Sequence, residues 1–250
     1  MPAVPPPSGQ HPIDAPGTDA KAWAAWPWLS TPPGSGLAEL AGVTSAVIVA
    51  AHPDDEVLGA GGLISLLAAS RARLRLVSAT DGERSHRGHG SPAALARRRT
   101  AETAAALQAL GARTTEVIRL QLPDSGLAGS EKKVVEALGP LVAGFDLCLA
   151  PWEGDMHPDH EAAGRAARRA APRLLYQYPV WMWHWASPGD PRVPWGRALR
   201  IPLTSRAATR KRTAIRCFAS QMQDRGHGLG PVLNPEMVAH FTRPVEVLLR

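Results

Sequence analysis

The apolar run Ala46-Val47-Ile48-Val49-Ala50-Ala51 predicts a β-strand buried on both faces. It stops at His52-Pro53-Asp54-Asp55-Glu56, because Pro53 has no backbone N–H and pushes His52 toward extended backbone. Residues 58–70 then read as a helix whose Gly59, Ala60, Gly61 and Gly62 permit close approach to a sheet. Residues 73–80 alternate as a second strand, 95–110 form an Ala/Leu/Arg helix stopped by Gly111, and 115–120 make a third strand. A helix over 131–142 leads to a fourth strand at 146–150, followed by a helix over 161–171. The βαβαβαβ alternation predicts an α/β fold, Rossmann-like and doubly wound, with a mostly parallel sheet.

The flanks follow other patterns. In Tyr176 to Trp185 an extended strand would set Trp181, Trp183 and Trp185 on one face by the period of two, as core packing or as a ladder for sugar rings, with His184 opposite. A strand at 200–203, a helix at 207–220 and a strand at 245–249 complete a β-containing carboxyl-terminal extension expected to wall the site. Residues 1–42 form a Pro/Trp-rich amino-terminal extension, and 43–250 are expected to form one domain. Within the extension, residues 1–20 should be loosely held, whereas Trp23, Trp26 and Trp28, closed off by Pro32-Pro33-Gly34, should pack on the domain.

Composition narrows the function. The 250 residues are 44% hydrophobic, ample for a core, yet no apolar stretch approaches the roughly 20 residues of a membrane span. The first residues lack the basic and apolar regions of a secretory leader, so a cytoplasmic protein without a membrane span is expected. Cys148 and Cys217 form no metal-binding pair and are expected to be reduced core residues. The net charge of +6 comes mostly from arginine, without long basic blocks, and Arg97-Arg98-Arg99 lies in a helical segment. A nucleic-acid partner is therefore not expected, and a small anionic substrate group suits the charge better.

The candidate chemistry sits at two strand ends. His52 and Asp55 can converge across a turn as nitrogen and oxygen ligands of one divalent ion, leaving Asp54 beside it. The ordinary alternative is an acidic loop capping the next helix. The fourth strand also ends in a Pro-interrupted cluster, Trp152-Glu153-Gly154-Asp155-Met156-His157-Pro158-Asp159-His160, and open parallel sheets gather such clusters at one edge. His160 opens a helix and would be the third ligand, with His157 and Asp159 left for proton chemistry. The glycine cluster is not a dinucleotide fingerprint, since the acidic loop separates it from the strand. The loop at 84–90, with Ser85, His86 and His89, reads as polar and is a candidate lid.

These two motifs, His-Pro-Asp-Asp-Glu and His-Pro-Asp-His, resemble those of the PIG-L/LmbE family of metal-dependent N-deacetylases. Weaker likenesses run through Thr80-Asp81-Gly82-Glu83, Arg99-Thr100-Ala101-Glu102, Leu110-Gly111, Leu122-Pro123-Asp124, Lys211 and Ser220-Gln221. The resemblance implies that His52, Asp55 and His160 bind zinc, that Asp54 is the general base, and that His157, oriented by Asp159, faces the substrate carbonyl. It also makes Arg99 and Asp124 candidates for holding sugar hydroxyls.

The implied substrate is a small acetylated amino-sugar conjugate of N-acetylglucosamine type, attacked by metal-activated water. Nitrogen and oxygen ligands suit Fe2+, Co2+ and Ni2+ as well as Zn2+. Two alternatives stand beside this reading: a metal-dependent hydrolase of another acyl amide in secondary metabolism, and a non-catalytic sugar-binding protein that retains the metal site.

Overall fold

The computed structural model describes residues 16–30, 36–86, 91–170, 173–226 and 229–250. The Pro-rich start up to residue 15, Pro32-Pro33-Gly34 and His89 lie outside the described residues. Two short helices, α1 (Ala20–Ala25) and α2 (Pro27–Ser30), precede β1 (Ser45–Ala50), α3 (Asp55–Ala69), β2 (Arg73–Thr80), α4 (Pro92–Leu110) and β3 (Glu116–Leu122). Then come α5 (Glu131–Val142), β4 (Leu147–Pro151), α6 (Pro158–Ala170), β5 (Leu174–Tyr178) and α7 (Met182–Trp185). The order closes with β6 (Ala198–Pro202), α8 (Ser205–Ile215), α9 (Pro235–Ala239) and β7 (Val245–Leu249).

These strands form one seven-stranded sheet in the order β3-β2-β1-β4-β5-β7-β6. Strands β1 to β5 pair in parallel, and β7 runs antiparallel to both β5 and β6. The expected doubly wound α/β fold is therefore present, and its carboxyl-terminal extension adds the antiparallel edge. β1 shows why the sheet is central. Ala46, Ile48 and Ala50 enter the core beneath α3 and α4, while Val47, Val49 and Ala51 enter the core beneath α5 and α6. All are at most 1% exposed, as a strand covered on both faces requires.

Most differences from the sequence reading are shifts at element ends. Helix α3 begins at Asp55 and α6 at Pro158, so Asp55 and Glu56 of the first cluster and Asp159 and His160 of the second belong to first turns rather than preceding loops. The tryptophan ladder is overturned: residues 182–185 form the short helix α7, and the strand ends at Tyr178. A helix turns successive odd positions to different sides. Trp183 meets Trp23 at 4.9 Å between ring centroids, Trp185 stacks near Trp152 at 6.2 Å, and Trp181 lines the central cavity. Trp23 is fully buried and donates its indole N–H to the Trp183 carbonyl at 2.9 Å, which fastens α1 to the core. The arginine run is also split, with Arg97 and Arg98 exposed and Arg99 buried. Cys148 is buried and Cys217 half-buried; both are free thiols.

Helix α3 lies close to β5 because Gly59 has no side chain: a Cβ there would stand 2.1 Å from the Tyr178 ring. That ring is fixed, since the Tyr178 hydroxyl donates to the Val49 carbonyl at 2.6 Å. Gly59→Ala should therefore cost about 1–3 kcal/mol by overpacking. Gly139→Ala in α5, where a Cβ meets nothing within 4 Å, should stabilise by roughly 0.5–1 kcal/mol. Urea denaturation of the two variants checks both signs.

Candidate metal centre and its cavity

The strand order reverses between β1 and β4, which are neighbours in the sheet although α3, β2, α4, β3 and α5 intervene in the chain. A ligand site in an open α/β sheet falls in the crevice beyond such a reversal, at the carboxyl ends of the strands. β1 delivers His52 there and α3 delivers Asp55. The loop after β4 delivers Asp155 and His157, and the first turn of α6 delivers Asp159 and His160.

Asp55 joins the two histidines. Its Oδ2 lies 3.4 Å from His52 Nδ1 and its Oδ1 lies 3.2 Å from His160 Nε2, while the His52 backbone N–H donates to Oδ2 at 2.8 Å. Two donors at about 2.0–2.1 Å from a tetrahedral ion are about 3.3 Å apart, and each Asp55 oxygen stands at such a distance from one histidine nitrogen. Donor atoms of His52, His157 and His160 also fall within 4.8 Å of one another, as do those of His52, Asp124 and Asp159. Electrostatics favours a cation at the same place. Burial opposes charge on His52, but Asp124, Asp159 and Asp55 hold its pKa well above the usual histidine value. Burial likewise opposes charge on His160, yet Asp55 and Asp155 raise its pKa to about 9. A metal ion held by these histidines would have to displace those protons.

Asp54 is held apart from this set. Its φ of 118° is rare for a residue with a side chain, and its carboxylate does not cap α3. Instead, Oδ2 meets the Arg99 guanidinium at 3.2 Å, and the same Arg99 nitrogen donates to the Pro53 carbonyl at 2.5 Å. Burial pushes the Asp54 carboxyl up to about 7 against the pull of Arg99.

The remaining residues singled out in the sequence are placed as follows. Asp159 does not turn its carboxylate to His157: it accepts from the backbone N–H groups of Ser125 at 2.8 Å and Leu127 at 2.9 Å and lies 3.2 Å from His52 Nε2. His157 Nδ1 instead receives the backbone N–H of Asp159 at 3.3 Å. Arg99 lines the cavity but is only 3% exposed, with its guanidinium also donating to the Gly82 carbonyl at 2.9 Å. Asp124 accepts from the Arg84 N–H at 2.8 Å and lies 3.4 Å from His52 Nε2. Of the loop proposed as a lid, Arg84 and Ser85 line the cavity, and the Ser85 hydroxyl lies 2.9 Å from His86 Nδ1.

Sequence reasoning gave Asp155 no role. It is fully buried, bonds His160 Nδ1 at 2.7 Å, and accepts backbone N–H groups from Val180, Trp181 and Met182 at 2.9–3.3 Å. A carboxylate on the far nitrogen of a ligating histidine fixes its tautomer and orientation. The signal was the acid within the second motif, but its anchors lie 25–27 residues downstream. The cavity in front of these groups measures about 620 Å³ and is also lined by Val180, Trp181, Leu229, Val232, Leu233 and Met237.

Residues 47–171 match the family described as GlcNAc-PI de-N-acetylase, PIG-L. A 1D-myo-inositol 2-acetamido-2-deoxy-alpha-D-glucopyranoside deacetylase of Streptomyces avermitilis is 32% identical over 202 residues, covering 68% of this chain and 66% of that protein. The deacetylase 2 of the same description from Catenulispora acidiphila is 31% identical over 157 residues, 51% of each chain. This chain thus spans about half to two thirds of the length of these curated relatives.

Among solved structures, a conserved protein of Thermus thermophilus is similar with a TM-score of 0.55 at 26% identity, covering 72% of this chain and 80% of that one. The N,N'-diacetylchitobiose deacetylase of Pyrococcus horikoshii shares the fold with a TM-score of 0.58 at 20% identity, covering 77% and 75% of the two chains. With the matched segment spanning half of its length and containing both His/Asp clusters, the chain belongs to the PIG-L family.

Proposed function

We propose that this protein is a metal-dependent hydrolase that removes the acetyl group from an N-acetylated amino sugar of N-acetylglucosamine type. The observation that carries this reading is Asp54, a buried carboxylate set beside, but outside, the Asp55-bridged histidine pair at the floor of an open cavity. His52, Asp55 and His160 would hold the ion, with zinc the first choice for two nitrogens and one carboxylate. The curated relatives, whose names specify a 2-acetamido-2-deoxyglucopyranoside, support the substrate class.

A divalent ion held there would polarise an acyl carbonyl and lower the pKa of a water toward neutrality. The protein's own groups divide the remaining work. Asp54 takes the proton from the attacking water on its free oxygen, while Arg99 keeps the other oxygen turned away. His157 stands with its ring centroid 5.0 Å from that of His52 and 4.5 Å from that of His160, where it can donate to the developing oxyanion. The proton taken by Asp54 can then pass to the leaving amine, giving acetate and a free amino sugar. Asp159 serves as a tie between the loop after β3 and His52. Asp124, facing the cavity, is the candidate for a sugar hydroxyl, and Arg99 positions Asp54 more than it contacts substrate.

A protein that only bound the sugar would not need Asp54. Asp54→Asn preserves shape and should lower kcat by about 10²- to 10⁴-fold while metal content stays at wild-type level. Acetate release and metal analysis on the same samples check this, and unchanged turnover would remove the base from Asp54. The base works deprotonated, so kcat/KM should fall as pH drops below about 7, the value to which burial raises Asp54. A pH–rate profile reads that limb. Asp155→Asn should weaken metal binding by roughly 10- to 100-fold, because it leaves His160 without its anionic partner. Competition with a chromogenic chelator measures the change.

A further inference from the structure

The cavity has a polar and an apolar lining. His52, Asp54, Arg84, Asp124 and Ser125 belong to the first. The second comes from Leu58 of α3, Trp181 before α7, Leu229, Val232 and Leu233 before α9 and Met237 within it, with Gln221 and Arg225 as polar neighbours in the same stretch of chain. Main-chain bonds tie part of the apolar lining: Leu233 donates its N–H to the Gln221 carbonyl at 2.9 Å, and the Leu229 N–H reaches the Gly226 carbonyl while the Leu229 carbonyl receives the Arg225 N–H, both at 3.0 Å. Trp181 lies nearly parallel to His157, with 21° between planes and 6.4 Å between centroids, so the apolar wall begins beside the proposed reaction centre. At its outer end Leu229 is 41% exposed, one of the few large apolar side chains so open among the described residues.

At about 620 Å³ the cavity is in the middle of the range of sites for drug-sized ligands, roughly 300–1,000 Å³. A polyhydroxylated group placed against Leu229, Val232 and Met237 would give up water hydrogen bonds without replacement, whereas an apolar group would gain from burial. We propose that the apolar wall is a substrate subsite and that the substrate is an amino-sugar conjugate whose aglycone is aromatic or aliphatic. The occupant is the substrate itself, because the wall is continuous with the polar floor and forms the same cavity. This inference rests on the deacetylase reading for the position of the sugar but not for the existence of the subsite.

The test compares phenyl, methyl and inositol glycosides of N-acetylglucosamine in acetate release by the metal-loaded protein. Calorimetric Kd values for the corresponding free-amine phenyl and methyl glycosides run alongside, since these need no turnover. The phenyl compounds should exceed the methyl ones by about tenfold or more in both kcat/KM and affinity. Leu229→Asp, at an exposed position, should shrink that ratio at least severalfold. Equal Kd values for phenyl and methyl glycosides, or faster turnover of the inositol glycoside, would overturn the apolar subsite. Tight phenyl binding with no acetate released from any glycoside would support the subsite and overturn the deacetylase reading instead.

Discussion

Asp54, Asp55, Glu56, Asp124, Asp155 and Asp159 are each at most 5% exposed and gather around His52 and His160. So many carboxyl groups cannot be removed from water together unless positive charge or hydrogen bonding compensates them. The protein answers each one differently. Arg99 pairs with Asp54, main-chain N–H groups meet Asp155 and Asp159, and Glu56 is driven toward its neutral form, its pKa raised to about 8 by burial. Burial opposes charge on Asp55, but His160 and His52 on either side hold its carboxyl well below the usual carboxylate value.

That requirement explains several features of the fold. The reversal of strand order brings the ends of β1 and β4 side by side, so two clusters about a hundred residues apart in sequence meet across a single crevice. Helices α3 and α6 both start in the site, so Asp55 and Asp159 stand in first turns where the helix dipole favours negative charge. Deeper in α3, the buried Lys211–Glu246 pair fixes the same helix: Glu246 accepts the N–H groups of Gly62 and Leu63 at 2.7 and 2.8 Å and the Lys211 ammonium at 2.7 Å. The backbone strain at Asp54 is sustained by this rigid surround and turns its carboxylate toward Arg99 rather than into a helix cap.

Much of this was legible before any coordinates. A doubly apolar strand such as β1 has an unambiguous pattern, and a proline-interrupted His/Asp cluster at its end marks where the pattern must break. The misreadings have physical causes. Alternating tryptophans at 181, 183 and 185 fit a strand by period, but a four-residue helix is too short to display a period of its own, and contacts with Trp23 and Trp152 decided the matter. Arg99 was singled out only through the family likeness, because its place on the buried face of α4 cannot be told from its exposed neighbours by composition. Asp159 was assigned to His157 through the family likeness, whereas its carboxylate meets His52 and N–H groups 32–34 residues earlier. The apolar wall comes from short turns without periodicity, so nothing local announced it.

The central claim is that the buried acidic cluster is completed by one divalent cation on His52, Asp55 and His160. Calorimetric titration of metal-free protein with Zn2+ in two buffers of different ionisation enthalpy counts both the ions bound and the protons released. The account predicts one ion per chain, bound with net proton release because His52 and His160 give up protons held by neighbouring carboxylates, and loss of that binding in a His52→Ala, His160→Ala double variant. Absence of stoichiometric binding, or the same binding in the double variant, would contradict it.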